Sequence, residues 1–258
     1  MPITIDPGNS INDNLVGWWP MDEGTGTVAN DVSGLDNHGD LISTVAWGAG
    51  PGSEGAVVFH NDSGEAVIVP HDASLAIVGD MTICAWVKMP SFPYYNNVLE
   101  KGTSQPQPYA INIGPSGQPY FLVGDGGSST TLIPSSNLAT DTWHFIACVV
   151  SGADMTEYLD GSSNGTETVG VSVTDDSGAL AIGNRSDYAV PFLGSISHVR
   201  IWDRALSGSE ISDIYADILF GQYVAPTADP PTPATAPASS DRLYNRSLTR
   251  IFRRGETG

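Results

Sequence analysis

The stretch "SFPYYNN" holds the clearest binding chemistry in the chain. Tyr94 and Tyr95 stand beside Asn96 and Asn97 in a segment bounded by proline. Flat apolar rings next to amides that both donate and accept hydrogen bonds are what a sugar ring requires. The alternative is that one tyrosine packs inward while the other covers a loop. Tyr188, next to Asp187 and close to Arg185, forms a second cluster of the same kind. Asp22, Asp31 and Asp62 are the carboxylates best suited to a hard cation, which takes about six to eight oxygen ligands. They either hold a structural calcium ion or serve turns, as the surrounding "DVSGLDNHG" and "NDSG" also suggest.

Other chemistries find little support. The five histidines are scattered without the spacing of metal ligands, and two cysteines alone cannot build a zinc site. No Gly-x-Ser-x-Gly nucleophile elbow is present, and "GDGGSS" lacks the lysine and following helix of a phosphate cradle. No cofactor is expected to be required, and the chain reads as a non-enzyme.

A different kind of contact is written into the C-terminus. Half of the ten basic residues, Arg242, Arg246, Arg250, Arg253 and Arg254, fall in "RLYNRSLTRIFRR". Tyr244, Leu248, Ile251 and Phe252 recur at helical spacing on the opposite face. So short a helix is marginal alone in water and is expected to order against a partner. The arginines would pair with an acidic groove while the apolar residues bury. The preceding "VAPTADPPTPATAPASS" is a polyproline-like spacer, and fifteen residues of it would reach roughly 45 Å. This pattern predicts a docking tail for a protein scaffold or a neighbouring subunit. Binding to a membrane surface is a less favoured use of the same helix.

The formal net charge of −19 makes the rest of the chain strongly acidic, which disfavours phosphate backbones and hence nucleic acid. "MPITIDPGNSINDN" shows no basic start or apolar core of a secretory signal, and no apolar run reaches the roughly 20 residues of a membrane span. Without such a signal, the Asn-x-Ser/Thr triplets at Asn61, Asn164, Asn184 and Asn245 carry little weight.

The elements that must position these residues are strands. From Leu15 to about Leu206, short apolar runs such as "AVVFH", "MTICAWVKM", "YAINI" and "TWHFIACVV" alternate with Gly, Asp, Asn, Ser and Pro clusters. They are too close together for helical crossovers, so the sheets should be antiparallel. One helix is signalled in "SGSEISDIYADILFG", where Ser207 and Glu210 form a capping box and Ile211, Ile214, Tyr215, Ile218 and Leu219 follow at helical spacing. Its expected role is to close an edge or end of a sandwich.

Taken in order, "LVGWWPMDEGTGTVANDVSGLDNHGDL", "AVVFHNDSGEAVIVP", "MTICAWVK", "VLEKG", "TWHFIACVVSGADMTEYLDG" and "FLGSISHVRIWDRALSGSEISDIYA" resemble the signature segments of laminin G-like, pentraxin-like domains of the concanavalin A-like lectin/glucanase superfamily. The resemblance implies an all-β, two-sheet antiparallel jelly-roll sandwich over residues 15–222. It is flanked by an N-terminal arm (1–14), a Pro-rich linker (223–238) and the basic amphipathic tail (239–258). It also implies a disulfide between Cys84 and Cys148, the two strand positions bridged in pentraxins; two reduced core thiols are the alternative. The Glu-x-Asp-x-Glu strand of the superfamily's glucan hydrolases is missing. Ser197 stands where related chains often carry a calcium-binding Asp, and the acidic pentraxin loop is reduced to "GNRSDYAVPFLG".

These readings converge on a recognition or attachment module for a glycan or surface, anchored through its tail to a larger assembly. A bridged protein made without a signal peptide suits a virion-type appendage, such as a bacteriophage head or tail decoration. A structural decoration protein with no small ligand, or an extracellular bacterial lectin-like adhesin, is the alternative.

Overall fold

The computed structural model describes residues 10–62, 64–103 and 106–219. The linker and the docking-tail residues Arg242, Tyr244, Arg246, Leu248, Arg250, Ile251, Phe252, Arg253 and Arg254 lie outside the described residues, as does most of the N-terminal arm.

Among the described residues, sixteen strands and one α-helix follow in chain order. The strands are β1 (Leu15–Trp19), β2 (Val28–Ala29), β3 (Gly39–Ile42), β4 (Ala46–Ala49), β5 (Gly55–His60), β6 (Ala66–Val69), β7 (Met81–Lys88) and β8 (Asn96–Lys101). They continue with β9 (Tyr109–Ile113), β10 (Pro119–Gly124), β11 (Ser129–Leu132), β12 (His144–Ser151), β13 (Asp154–Leu159), β14 (Ser162–Thr168), β15 (Leu180–Ile182) and β16 (Leu193–Trp202). Helix α1 spans Gly208–Leu219.

Two eight-stranded antiparallel sheets form a jelly-roll sandwich. The first runs β14-β13-β12-β7-β16-β5-β4, with β1 paired to β16. The second runs β11-β10-β9-β8-β15-β6-β3-β2. Residues alternating inward from both sheets make the main core, including Ile83, Val87, Leu99, Ile111, Phe121 and Ile146. The first sheet is also covered on its outer face, where Trp18, Cys84, Trp86, Phe145 and Trp202 pack with Ile211 and Ile214 of α1. Burial on both faces explains why "MTICAWVK" is apolar from Ile83 to Val87 without interruption.

Helix α1 begins with the expected reciprocal cap: the Ser207 N–H donates to Glu210 Oε2 at 2.7 Å, and the Glu210 N–H donates to Ser207 Oγ at 3.3 Å. Arg204 adds a 2.8 Å ion pair to Glu210, and chiefly this contact holds the Glu210 carboxyl down at about 2. The helix lies over the outer face of the first sheet rather than closing an edge or end, because Trp86 and Phe145 offer a broad aromatic floor there. Tyr215 stacks on Trp86 with ring centroids 5.5 Å apart.

The expected Cys84–Cys148 disulfide is absent; both cysteines are free and buried. Strand register gives the reason. Cys84 on β7 lies opposite Ala147 on β12, while Cys148 lies opposite Ile83. Successive side chains on a strand point to opposite faces, so Cys148 enters the core between the sheets and Cys84 the cluster beneath α1. Thiols aimed to opposite sides of one sheet cannot be bridged without moving the backbone.

Candidate functional site

The outer face of the second sheet carries a cavity of about 490 Å³, within the range of roughly 300–1,000 Å³ common for small-ligand sites. It is built from alternate residues of neighbouring strands. Register places Glu100 of β8 opposite Ala110 of β9, and Ala110 opposite Leu122 of β10. One step along, Asn97 faces Asn112, which faces Tyr120. An extra residue in β8 between Asn97 and Leu99 lets Val98 and Leu99 both enter the core, after which Glu100 returns to the outer face.

The walls come from connecting segments. Tyr95 precedes β8, the turn from Gly114 to Gln118 joins β9 to β10, and the segment after β15 supplies Arg185 and Val190. Gly117 takes φ +80° in that turn, and a side chain there would strike the Phe92 ring. Buried Asn184 pins the Arg185 segment. Its Nδ2 donates to the Glu65 carbonyl at 2.9 Å, and its Oδ1 accepts the N–H groups of Arg185 at 2.8 Å and Val190 at 3.1 Å.

Aromatic surface and a buried carboxyl define the chemistry. The Tyr95 and Tyr120 rings meet edge to face with centroids 6.0 Å apart. Burial, helped by neighbouring Tyr95, pushes the Tyr120 phenol up to about 12. Glu100 is completely buried. Its Oε2 accepts from Gln107 Nε2 at 2.6 Å and Asn97 Nδ2 at 3.3 Å, and Arg185 Nε lies 3.7 Å away. Its Oε1 has no hydrogen-bond partner. Burial raises this carboxyl to about 7, opposed by the charge of Arg185, the Ser186 N–H and Gln107.

The structure sorts the residues expected from sequence. Tyr95 and Arg185 reach the cavity. Tyr94 is exposed and outside its lining. Asn96 and Asn97 are not loop residues offering amides to solvent but buried members of β8. Asn96 Oδ1 accepts from the Leu193 N–H at 3.1 Å and its Nδ2 donates to the Tyr94 carbonyl at 2.8 Å, which ties the tyrosine segment down. Tyr188 sits at a turn with φ 60° and does not line the cavity.

Asp22, Asp31 and Asp62 are not brought together, and the described residues hold no group of three or more His, Cys, Asp or Glu placed for a metal ion. Asp31 accepts from the Trp18 and Ser33 N–H groups, both at 2.8 Å, from Ser33 Oγ at 2.6 Å and from the Asn37 N–H at 2.9 Å. Asp62 accepts from the Gly64 N–H at 2.8 Å, and Asp22 is exposed. The turn role is therefore the one the geometry shows for Asp31 and Asp62.

Sequence reasoning missed Glu100, Gln107, Asn112 and Tyr120. The available signal was a polar residue in an otherwise apolar strand, Asn112 in "YAINI"; Glu100 carried none, because the extra residue in β8 breaks the alternation.

A lectin-like sandwich with an outward cavity is the class defined by this fold and site. The chain belongs to the Laminin_G_3 family of the concanavalin A-like lectin/glucanases superfamily, whose model matches residues 61–212. No curated protein matches its sequence.

Solved structures share the fold at low identity. The binding domain of Paraclostridial Mosquitocidal Protein 1 is 18% identical with TM-score 0.66, over 80% of this chain and 52% of that one. Domain 4 of AbnA, a GH43 extracellular arabinanase from Geobacillus stearothermophilus in complex with arabinotriose, is 18% identical with TM-score 0.62, over 78% and 98%. The binding domain of botulinum neurotoxin DC in complex with rat synaptotagmin II is 15% identical with TM-score 0.65, over 81% and 52%. This chain thus spans about half the length of the toxin binding domains. Likeness at such identity establishes the fold alone.

Proposed function

We propose that the protein is a non-catalytic recognition module that binds a glycan in the cavity on the outer face of its second sheet. The observation that carries this reading is the cavity itself, lined by the Tyr95 and Tyr120 rings and by Glu100, whose buried Oε1 lacks a hydrogen-bond partner. Aromatic area with a few convergent polar groups is the composition of a sugar site. The arabinanase domain, solved with arabinotriose, and the toxin binding domains give the reading fold-level support. Binding is preferred to hydrolysis because Glu100 is the one carboxylate in the described lining, whereas glycoside hydrolysis generally uses two.

Attachment through residues 239–258 to a larger assembly is part of this proposal, supported by the arginine and apolar periodicity of the tail. A virion setting draws no support from the cysteines, since they are unbridged.

The test is binding of the intact protein and its Tyr95→Ala and Tyr120→Ala variants to an oligosaccharide panel. Loss of about 2- to 10-fold for a bound sugar in each variant is expected, from stacking worth about 0.5–1.5 kcal/mol per ring. A panel that the intact protein ignores, or binding indifferent to both substitutions, overturns the reading.

A further inference from the structure

We infer that the cavity selects uncharged polyhydroxyl ligands, with Glu100 Oε1 accepting a hydrogen bond from a ligand hydroxyl. This rests on the glycan reading above and adds the class of sugar taken.

The argument begins with how the polar groups are already committed. Glu100 Oε2 receives the Gln107 and Asn97 amides and the Ser186 N–H also acts on the carboxyl, whereas Oε1 of the same fully buried side chain has no hydrogen-bond partner. A buried acceptor left unmade costs free energy, and Glu100 is one of the residues that line the cavity. Arg185 is committed on one side too: its Nη2 donates to Asp187 Oδ2 at 2.8 Å. Its Nε–H is buried without a hydrogen bond, 3.7 Å from Glu100 Oε2. Glu100 and Arg185 therefore leave one acceptor and one donor beside the same cavity. A hydroxyl both donates and accepts, so it satisfies both; a sugar carrying two neighbouring hydroxyls does so with its ring free to lie against Tyr95 or Tyr120.

An anionic sugar meets the reverse situation. Glu100 and Arg185 are the charged residues of the described lining. The guanidinium is already neutralised by Asp187 and Glu100. A carboxylate or sulfate placed there would face the Glu100 carboxylate, with no free cation in the described lining to offset it. The formal net charge of −19 disfavours its approach as well. The charged groups acting on Glu100 are Arg185 and Asp187, both from the segment after β15. No second positive charge is among them.

The experiment uses the intact protein at about pH 8, where Glu100 is ionised, against neutral arabino-, gluco- and galacto-oligosaccharides and their uronic, sialylated and sulfated counterparts. Neutral members should bind and their anionic counterparts should be at least about 10-fold weaker. Glu100→Gln, which keeps shape and removes charge, should weaken the neutral ligand about 10-fold and narrow the gap to the anionic ones. Anionic glycans bound as well as neutral ones, in a manner abolished by Tyr120→Ala, would overturn this inference and leave the glycan reading standing. Absence of binding to every sugar would remove the reading itself. Should Glu100→Gln fail to fold, the neutral-to-anionic comparison on the unmodified protein decides alone.

Discussion

Glu157 offers the sharpest test of the packing described above. It lies on β13 opposite Cys148, so its carboxyl enters the core between the sheets. Asn164 Nδ2 donates to Oε2 at 2.9 Å, and Oε1 has no partner. Burial is the leading cause of a rise from the ordinary 4.5 to about 7. In the unfolded chain this group ionises near 4.5, while the folded protein holds the proton to about 7. Folding therefore takes up a proton in that window, so stability falls as pH rises through it and the full loss is reached above the folded value. At about 1.36 kcal/mol per pKa unit, the loss approaches about 3 kcal/mol, a sizeable part of a typical total of about 5–15 kcal/mol.

Glu157→Gln keeps the acceptor for Asn164 and cannot ionise. It should unfold in urea almost like the unmodified protein at about pH 5 and gain about 2.5 kcal/mol over it by about pH 8. The difference between the two proteins is the quantity to measure. Glu100, raised in the same sense, and His198, lowered by burial and Arg200 and so acting in the opposite sense, occur in both and cancel. A difference that stays constant with pH would refute the placement of Glu157 in the core.

Other expectations follow from the same structure. Ile214→Ala removes a buried side chain from the cluster beneath α1 and should cost about 2–5 kcal/mol in chemical denaturation. Ser207→Ala removes half of the reciprocal cap and should cost about 1 kcal/mol, read as a lower thermal midpoint. Both cysteines should resist alkylation in the folded protein near neutral pH, since burial pushes the Cys84 thiol up to about 12 and raises Cys148 as well. Denatured without reductant, the chain should take two labels, as counted by mass; a chain taking none would restore the disulfide.

The strands with apolar cores were legible because alternation and turn residues are local signals. β7, β9, β12 and β16 fall where their sequences place them, and so does the start of α1 at Ser207. β14 was not legible, since "SSNGTET" is polar throughout and owes its pairing to β13. The cysteines failed for a related reason: resemblance fixed which strands they occupy, but a register offset of one residue decides which face each thiol takes. At the cavity, Tyr95 could be read because exposed aromatics announce themselves. Glu100 could not, because its position depends on the extra residue in β8, a feature that only pairing with β9 makes visible.

The placement of α1 bears on how such a module faces its surroundings. The helix rests on one broad side of the sandwich and the cavity opens on the other, so the two occupy opposite faces of the body. A support that gripped the α1 side would therefore leave the opposite face unobstructed.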